Sequence, residues 1–180
     1  MKRPNTAVRY KSREILLPAS IDVLLLAGGK GTRLRASLDP ELSCNPKLLV
    51  SIDSDGRHEP MLDTVIRRLS CHGFTKISLL TCGDEAACGE AIECHAAVEF
   101  GPLLSLRVFR EDYPLGTAGT VYAALNQLDS PCVIVVPGDT LFPFAKLTPG
   151  LVRHASYDAA ITSGLSRRNQ ERQLRTKADW

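Results

Sequence analysis

The sequence lacks the features that would place the protein in a membrane or on nucleic acid. No apolar run approaches the roughly 20 residues that a membrane-spanning helix needs. The formal net charge of +2 argues against strong electrostatic binding to nucleic acid. The chain shows no internal repeat, and 180 residues suffice for one hydrophobic core but not for two comfortable domains. We therefore expect an ordinary globular protein that binds neither membranes nor nucleic acid.

Cysteine motifs are missing as well. None of the six cysteines belongs to a C-x-x-C pair. Cys82, Cys88 and Cys94 are each six residues apart, which fits neither a zinc pattern nor a redox pair. The interpretation is free, mostly buried thiols in a reducing cytosol, which predicts a cytoplasmic protein. His95 beside Cys94 is interpreted as chance rather than as a metal ligand.

Both common phosphate-binding loops are absent too. A P-loop requires G-x-x-x-x-G-K-[ST], and no Gly-Lys-Ser or Gly-Lys-Thr occurs. The dinucleotide fingerprint requires G-x-G-x-x-G; Gly29 and Gly31 fit it, but the third position is Leu34. A phosphate site in this chain would therefore need a different loop.

What the sequence contains instead is a short apolar run that ends in glycines. Residues 23–27 read VLLLA, which is typical of a strand covered on both faces. Residues 28–33 read GGKGTR, where the glycines permit a sharp turn and a close approach of backbone N–H groups to a ligand. With Lys30, Arg33 and Lys47 nearby, this stretch predicts a polyphosphate site. A tight strand-to-helix turn without a ligand is the alternative.

Strands and helices alternate along the rest of the chain, which predicts an α/β fold with a mainly parallel sheet and helices on both faces. A loop over the site is expected at residues 35–45 and a turn at residues 53–57. The acids Glu85, Glu90 and Glu93 are interpreted as a solvated helix face. The predicted strands are 48–52, 77–81, 104–110, 132–136 and 159–163, and the predicted helices are 60–70, 84–97, 121–128 and 147–156.

The ends of the chain differ from its centre. Residues 1–20 form a basic N-terminal extension, interpreted as a mobile tail or a short lead-in strand, with an organelle transit peptide as the alternative. Residues 21–165 form the predicted domain. Residues 166–180 form a polar C-terminal tail with almost nothing to bury, interpreted as a solvated helix or a disordered segment.

Two further stretches stand at the ends of predicted strands. Residues 115–119 read LGTAG and precede a predicted helix, whose N-terminal N–H groups are available to a ligand. A glycine-capped helix start is the alternative. Asp139 follows the strand at 132–136, and ligands of open α/β sheets collect at that edge. A carboxylate there can hold Mg²⁺, and an aspartate that serves only a turn is the alternative.

These motifs together resemble a known family. LAGGKGTRL at residues 26–34, followed by Pro46-Lys47, is similar to the signature of the sugar-1-phosphate nucleotidyltransferases, closest to their heptose- and mannose-1-phosphate guanylyltransferase branch. The resemblance implies a Rossmann-like three-layer sandwich of the nucleotide-diphospho-sugar transferase type. It also implies the transfer of a nucleoside monophosphate from an NTP to a sugar 1-phosphate, with release of pyrophosphate and with Mg²⁺ as the cofactor.

The resemblance implies a role for each site residue. Arg33 would contact the β- and γ-phosphates, Lys47 the α-phosphate and its transition state, and Asp139 the Mg²⁺ ion. Gly83 would lie near the base. The implied partners are an NTP and a sugar 1-phosphate, and the oligomeric state, a homo-oligomer included, stays open. The implied nucleotide-binding residues are Ala27, Gly28, Gly29, Gly31 and Thr32 in the first loop, and Gly116, Thr117, Ala118 and Gly119, which would face the base and the sugar.

The family pattern is incomplete on the C-terminal side. Family members continue beyond the last predicted strand and supply there a second metal-binding aspartate and the residues that hold the sugar phosphate. This sequence ends at Trp180 with a charged tail, so we expect the nucleotide half of the site to be present and the acceptor half to be truncated or rebuilt. A weak or inactive nucleotide-binding relative that acts as a regulatory or partner subunit is therefore an alternative function. An alcohol phosphate or a molybdopterin as the acceptor is another, and neither the base nor the sugar is assigned.

Overall fold

The computed structural model describes most of the predicted domain. The described residues are 8–9, 15–16, 18–28, 45–82, 86–101, 105–111, 115–128, 130 and 132–156. The predicted strand at 159–163 and the predicted tail at 166–180 lie outside them. The strands are β1 (Val8–Arg9), β2 (Ile15–Leu16), β3 (Asp22–Leu26), β4 (Ser51–Ser54), β5 (Arg57–Pro60), β6 (Lys76–Cys82), β7 (Ser105–Glu111) and β8 (Val133–Pro137). The α-helices are α1 (Met61–Cys71), α2 (Ala86–Phe100), α3 (Gly116–Leu125) and α4 (Leu147–Ser156), and short 3₁₀ helices lie at Pro18–Ser20, Lys47–Leu49 and Phe144–Lys146.

The central sheet has the strand order β7-β6-β3-β8, and each pair of neighbours in it is parallel. β3 lies between two partners and is covered on both faces, so Val23, Leu24 and Leu25 are fully buried. This position explains why the β3 sequence is an unbroken apolar run rather than an alternating one. The prediction of a mainly parallel sheet is confirmed. Two antiparallel pairs, β1 with β2 and β4 with β5, lie outside the central sheet.

Helices cover both faces of the central sheet. Val23 and Leu25 belong to a core that includes residues of α1, α2 and α4, whereas Leu24 packs with Ala124 of α3. Because successive residues of a strand point to opposite faces, α1, α2 and α4 lie on one side of the sheet and α3 on the other. The structure is therefore the three-layer α/β sandwich that the sequence predicted.

The strand order reverses next to β3. From β3 the chain proceeds outwards through β6 to β7, and then returns to place β8 on the other side of β3. Because the strands are parallel, their carboxyl ends share one edge of the sheet, which we call the carboxyl edge. In open α/β sheets a ligand crevice forms at this edge, at the point where the strand order reverses. In this protein that point lies between β3 and β8.

The strand predicted at 48–52 is wrong at its beginning. Lys47–Leu49 form a 3₁₀ helix, in which the N–H of Leu49 donates to the carbonyl of Pro46 at 2.8 Å. β4 begins only at Ser51. The fixed backbone of Pro46 (φ −55°) starts this turn, and the apolar side chains that suggested a strand serve the core instead.

The turn predicted at 53–57 is shorter than expected. Asp55 and Gly56 have φ values of 56° and 72°, and the residues on either side pair as the antiparallel strands β4 and β5. Positive φ at both central residues is the geometry of a two-residue hairpin turn, for which Asp-Gly is a favoured sequence. The segment is therefore a β-hairpin, and β5 is a strand that the sequence did not predict.

The helix predicted at 121–128 begins earlier and ends earlier, since α3 covers Gly116–Leu125. The residues expected in a loop therefore form its first turn. Thr120 and Ala124 are buried, and the hydroxyl of Thr120 donates to the carbonyl of Gly116 at 2.9 Å. Packing against the sheet overrides the low helix propensity of the two glycines in this turn.

The thiols are more exposed than predicted. Cys71 and Cys94 are exposed, and Cys88 and Cys132 are partly exposed, so the expectation of mostly buried thiols is wrong for these four residues. Burial still raises the pKa of the Cys132 thiol above its ordinary value. Among the described helices, none has both the length and the apolar character needed to cross a bilayer.

Candidate functional site

The candidate site lies at the carboxyl edge, in the crevice between β3 and β8. β3 continues into Ala27 and Gly28, and the N–H of Ala27 donates to the carbonyl of Leu80 in β6 at 2.8 Å. β8 continues into Gly138, whose N–H donates to the carbonyl of Leu26 at 3.0 Å. Sheet-like hydrogen bonds thus continue past the last strand residues. They fix the backbone on both sides of the crevice.

Lys47 and Asp139 meet in this crevice. Nζ of Lys47 lies 2.5 Å from Oδ2 of Asp139, and the hydroxyl of Thr140 donates to Oδ1 of the same carboxylate at 3.3 Å. The side chains of Lys47 and Asp139 are 32% and 45% exposed, so a ligand in solution can reach both charged groups. The structure therefore brings together two of the three charged residues to which the family resemblance assigned a role. Their roles towards a ligand stay predictions.

The ion pair governs the charge state of Asp139. The hydrogen bond from Lys47 lowers the pKa of the Asp139 carboxyl below its ordinary value, and partial burial offsets only part of that effect. Asp139 is therefore ionised at neutral pH. An exposed ion pair contributes about 0–1 kcal/mol to folding. The ion pair therefore contributes little to folding stability, and both charged groups are available to interact with a ligand.

Lys47 reaches the crevice from the 3₁₀ helix that precedes β4. The next residue, Leu48, inserts into the core and is 4% exposed. The carbonyl of Val50 accepts a hydrogen bond from the N–H of Met61, the first residue of α1, at 3.1 Å. The backbone that follows Lys47 is thereby attached to the first residue of α1.

The β4–β5 hairpin is also tied to α1. Nε of Arg67 donates to Oε1 of Glu59 at 3.0 Å, and Nε of Arg68 donates to Oδ2 of Asp55 at 3.0 Å. The hydrogen bond from Arg67 lowers the pKa of the Glu59 carboxyl. These contacts hold the hairpin between Lys47 and α1 against the helix.

The N-terminus of α3 begins shortly after β7 ends at the same edge. Gly116, Thr117 and Ala118 are exposed there. Gly116 has a φ of 68°, a conformation that favours glycine. A Cβ at Gly119 would lie 2.8 Å from Cβ of Leu115, so packing alone requires a glycine at that position. The helix start offers N–H groups to a ligand, while the glycine at 119 has a structural reason of its own.

Part of the predicted site lies outside the described residues. Gly29, Gly31, Thr32, Arg33 and Gly83 belong to this part. The predicted convergence of Arg33 on Lys47 and Asp139 therefore stays a prediction. So does the predicted approach of the segment after β6 to the base.

A polar network that the sequence did not predict lies near the ends of β6 and β7. The hydroxyl of Thr81 donates to Oε1 of Glu93 at 2.8 Å, and a terminal nitrogen of Arg110 donates to Oε2 of Glu93 at 2.6 Å. Glu93 is only 20% exposed, so its interpretation as part of a solvated face is wrong, whereas Glu90 is 61% exposed as expected. The spacing of residues in the sequence does not predict this network, because its members come from separate secondary-structure elements.

The residues at the crevice fit a magnesium ion only in combination with a ligand. Mg²⁺ prefers oxygen ligands and is usually held by one or two carboxylates together with phosphate oxygens and water. Asp139 provides one such carboxylate. Within the described part of the chain, no group of three or more His, Cys, Asp or Glu side chains could hold a metal ion. The donor set therefore fits an ion that arrives with phosphate groups.

Comparisons with known proteins point in one direction. A family model described as the MobA-like NTP transferase domain matches residues 23–173. D-glycero-alpha-D-manno-heptose 1-phosphate guanylyltransferase from Aneurinibacillus thermoaerophilus is 30% identical over 145 residues, which is 81% of this chain. The crystal structure of HddC from Yersinia pseudotuberculosis complexed with GMP-PN is 28% identical over 66% of this chain, with a TM-score of 0.52.

A third likeness concerns the fold alone. The inositol-1-phosphate CTP transferase from T. maritima has a TM-score of 0.53 over 72% of this chain, at 23% identity. The chain spans 57% of the length of the heptose 1-phosphate guanylyltransferase, 48% of HddC and 47% of the CTP transferase. The similarity therefore covers about half of each relative.

Proposed function

Because this chain belongs to the MobA-like NTP transferase domain family, we propose that it moves a nucleoside monophosphate from an NTP to a sugar 1-phosphate. The products are a nucleotide-sugar and pyrophosphate. The observation that carries this proposal is the Lys47–Asp139 ion pair in the crevice between β3 and β8, where Gly138, the residue before Asp139, donates a hydrogen bond to Leu26 at the end of β3. The Lys47 ammonium would serve as a cation for phosphate, and the Asp139 carboxylate as a ligand for a metal ion.

The proposed reaction needs little covalent help from the protein. A phosphate oxygen of the sugar 1-phosphate attacks the α-phosphorus of the NTP, and the bond from that phosphorus to the oxygen bridging to the β-phosphate breaks. The nucleophile is already an anion, so no general base is required. The barrier arises from bringing two anions together and from the charge that develops on the leaving pyrophosphate. Positioning and electrostatic stabilisation therefore supply the catalysis.

Each charged residue has a proposed part in this chemistry. The Lys47 ammonium would bind the α-phosphate and stabilise the charge that develops there, and Arg33 would bind the β- and γ-phosphates of the leaving group. Asp139 would hold Mg²⁺, which supplies positive charge to phosphate oxygens when it is bound. The N–H groups of the first loop would line the nucleotide, and the start of α3 would face the base and the sugar.

We propose GTP and a heptose or mannose 1-phosphate as the first substrates to test. One relative is a heptose 1-phosphate guanylyltransferase, and the HddC structure was solved with GMP-PN. Both lie above 25% identity to this chain, whereas the CTP transferase supports the fold only. We further propose a cytosolic site of action, since the exposed thiols of Cys71 and Cys94 suit a reducing compartment.

The decisive experiment measures pyrophosphate release by the purified chain with Mg²⁺, each NTP and a panel of sugar 1-phosphates. Lys47→Met and Asp139→Asn are the test variants. Lys76→Met and Asp53→Asn are matched controls, because Lys76 lies at the opposite edge of the sheet and Asp53 in the exposed hairpin. We expect release with GTP and a sugar 1-phosphate in the wild type and both controls, and a strong loss in both test variants.

The other outcomes distinguish the competing functions. NTP binding without pyrophosphate release for any acceptor would support a nucleotide-binding regulatory or partner subunit. Release with choline phosphate or another alcohol phosphate would identify a different acceptor. Absence of both binding and release would reject a nucleotide site in this crevice.

A further inference from the structure

We infer that Leu48 and Gly138 are positioning residues, which together set the separation of Lys47 and Asp139. Each follows or precedes one member of the ion pair directly in the sequence. This inference rests on the proposed function for its catalytic consequence, but its structural part can be tested without any substrate.

The contact between Leu48 and Gly138 is tight. Gly138 is buried, and a Cβ built on it would lie 3.0 Å from Cδ1 and 3.4 Å from Cδ2 of Leu48. The same Cβ would lie 2.8 Å from the carbonyl oxygen of Leu26. The backbone at Gly138 thus packs against both the end of β3 and the Leu48 side chain. Glycine permits this approach because it has no Cβ.

The ion pair cannot hold its own geometry. Lys47 has a long flexible side chain, and both charged groups are reached by water. Such a pair loses much of its attraction to solvent screening and to the entropy of ordering the lysine. A buried leucine packed on a glycine backbone has one well-defined position by comparison. The Leu48–Gly138 contact therefore fixes the backbone segments that carry Lys47 and Asp139, and thereby the positions of the two charged groups.

The arrangement has a chemical consequence. The 3₁₀ helix that carries Lys47 and the turn that carries Asp139 are 92 residues apart in sequence. If Leu48 is shortened, the two segments can separate without breaking a strand hydrogen bond. A shift of about 1 Å at a phosphate-transfer site can cost a factor of about 100 in rate. Leu48 thus acts on the reaction through Lys47 and Asp139, without touching substrate.

The test compares Leu48→Ala with Leu69→Ala. Both leucines are buried in the same core, at 4% and 0% exposure, but Leu69 lies near the end of α1 that leads to the opposite edge of the sheet. Leu48→Met, which restores the volume, is the rescue variant. All variants are measured at a temperature at which denaturant unfolding shows each to be folded.

The first readout is kinetic. We expect Leu48→Ala to lower kcat/KM for pyrophosphate release by about tenfold or more, with Leu69→Ala within about twofold of the wild type and Leu48→Met close to it. If both alanine variants lower activity equally, Leu48 is an ordinary core residue and the inference is rejected.

The second readout needs no activity. Lys47→Gln is introduced into the wild type, Leu48→Ala and Leu69→Ala, and the amide ¹H–¹⁵N signals of Asp139 and Thr140 are followed. We expect Lys47→Gln to shift these signals in the wild type and in Leu69→Ala, and to leave them unmoved in Leu48→Ala. Equal shifts in all three backgrounds would overturn the inference. This measurement does not depend on substrate turnover. An inactive wild type would therefore reject the proposed function, and the amide signals would still decide whether Leu48 positions the ion pair.

Discussion

Lys47 approaches to 2.5 Å of Asp139 across the point where the strand order reverses, although 92 residues separate them along the chain. The two side chains come from different elements, Lys47 from the 3₁₀ helix that precedes β4 and Asp139 from the turn that follows β8. Their charges compensate each other in the protein alone. When a polyphosphate and a metal ion enter the crevice, Lys47 can bind the negative phosphate in place of Asp139, and Asp139 can bind the positive metal ion in place of Lys47.

The first prediction concerns this pair. Lys47→Met should lower kcat by roughly 100-fold or more, on the order of 3 kcal/mol, because a donor that stabilises developing charge is lost. Its free energy of unfolding should change by less than about 1 kcal/mol, because the pair is exposed. Steady-state kinetics and urea unfolding on the same preparation measure both quantities. A large loss of stability with little loss of activity would contradict the prediction.

Gly138→Ala should destabilise the protein by about 1–3 kcal/mol, the usual range for overpacking a filled site. The added methyl group would meet the Leu26 carbonyl oxygen at 2.8 Å, and backbone cannot yield as a flexible side chain can. Gly150→Ala is the control. Gly150 lies in α4 with nothing within 4 Å of an added Cβ, so that variant should gain about 0.5–1 kcal/mol from helix propensity. Thermal or urea unfolding compares the two.

Ser130→Ala should destabilise the fold without affecting the site. The hydroxyl of Ser130 accepts a hydrogen bond from the N–H of Asp22 at 3.2 Å and donates to the Asp22 carboxylate. Asp22 is 4% exposed, so removing this hydroxyl leaves buried polar groups poorly satisfied, at a cost of about 1–3 kcal/mol. Ser51→Ala, on an exposed position of β4, should stay within about 0.5 kcal/mol of the wild type. Equal unfolding midpoints for the two variants would rule out this role.

Ser78→Ala should not lower the stability of the protein, in contrast to Ser130→Ala. Ser78 is 1% exposed, and among the described buried side chains its hydroxyl stands without a hydrogen-bond partner. Burying an unpaired hydroxyl is unfavourable, so its replacement by a methyl group should leave stability unchanged or raise it by up to about 1 kcal/mol. Urea unfolding provides the measurement, and a clear loss of stability would show that the hydroxyl has a partner.

Glu59→Gln should weaken the acid dependence of stability. Arg67 lowers the folded-state pKa of Glu59 below its unfolded value. Its contribution is therefore fully present above about pH 4.3, the ordinary value of a glutamate, and is lost as the pH falls through the lowered folded-state pKa. The wild type should lose more stability than Glu59→Gln between about pH 6 and about pH 3. The control Glu90→Gln, at an exposed position, should follow the wild-type curve.

The sequence predicted those elements of the fold that leave a local or periodic pattern of apolar residues. The apolar run of β3 requires burial on two faces, and the helical spacing of α1 and α4 requires one covered face each, so these elements were found. Leu48 was assigned to a strand because its apolar neighbours resemble one. Only the packing of the whole domain shows that Leu48 covers Gly138. A contact between residues so far apart leaves no mark on the local pattern.

The same reasoning applies to the site. The sequence placed Asp139 at the end of a strand and Lys47 after a proline, and the roles that the family resemblance implies for them required both to lie near one triphosphate. It could not assign Glu93, because the partners of that carboxylate, Thr81 and Arg110, come from two other elements. The early start of α3 was missed because two glycines lower its helix propensity, while the burial of Thr120 depends on the finished sheet.

Because the central strands are parallel, the crevice lies at the carboxyl edge of the sheet, and the opposite edge is remote from it. Lys76 begins β6 at the opposite edge and is exposed, and the seven residues of that strand place it roughly 20 Å from the carboxyl edge. A fluorophore or a surface tether attached there would face away from the crevice. Binding and turnover could then be followed on an immobilised or labelled molecule whose chemistry is left intact.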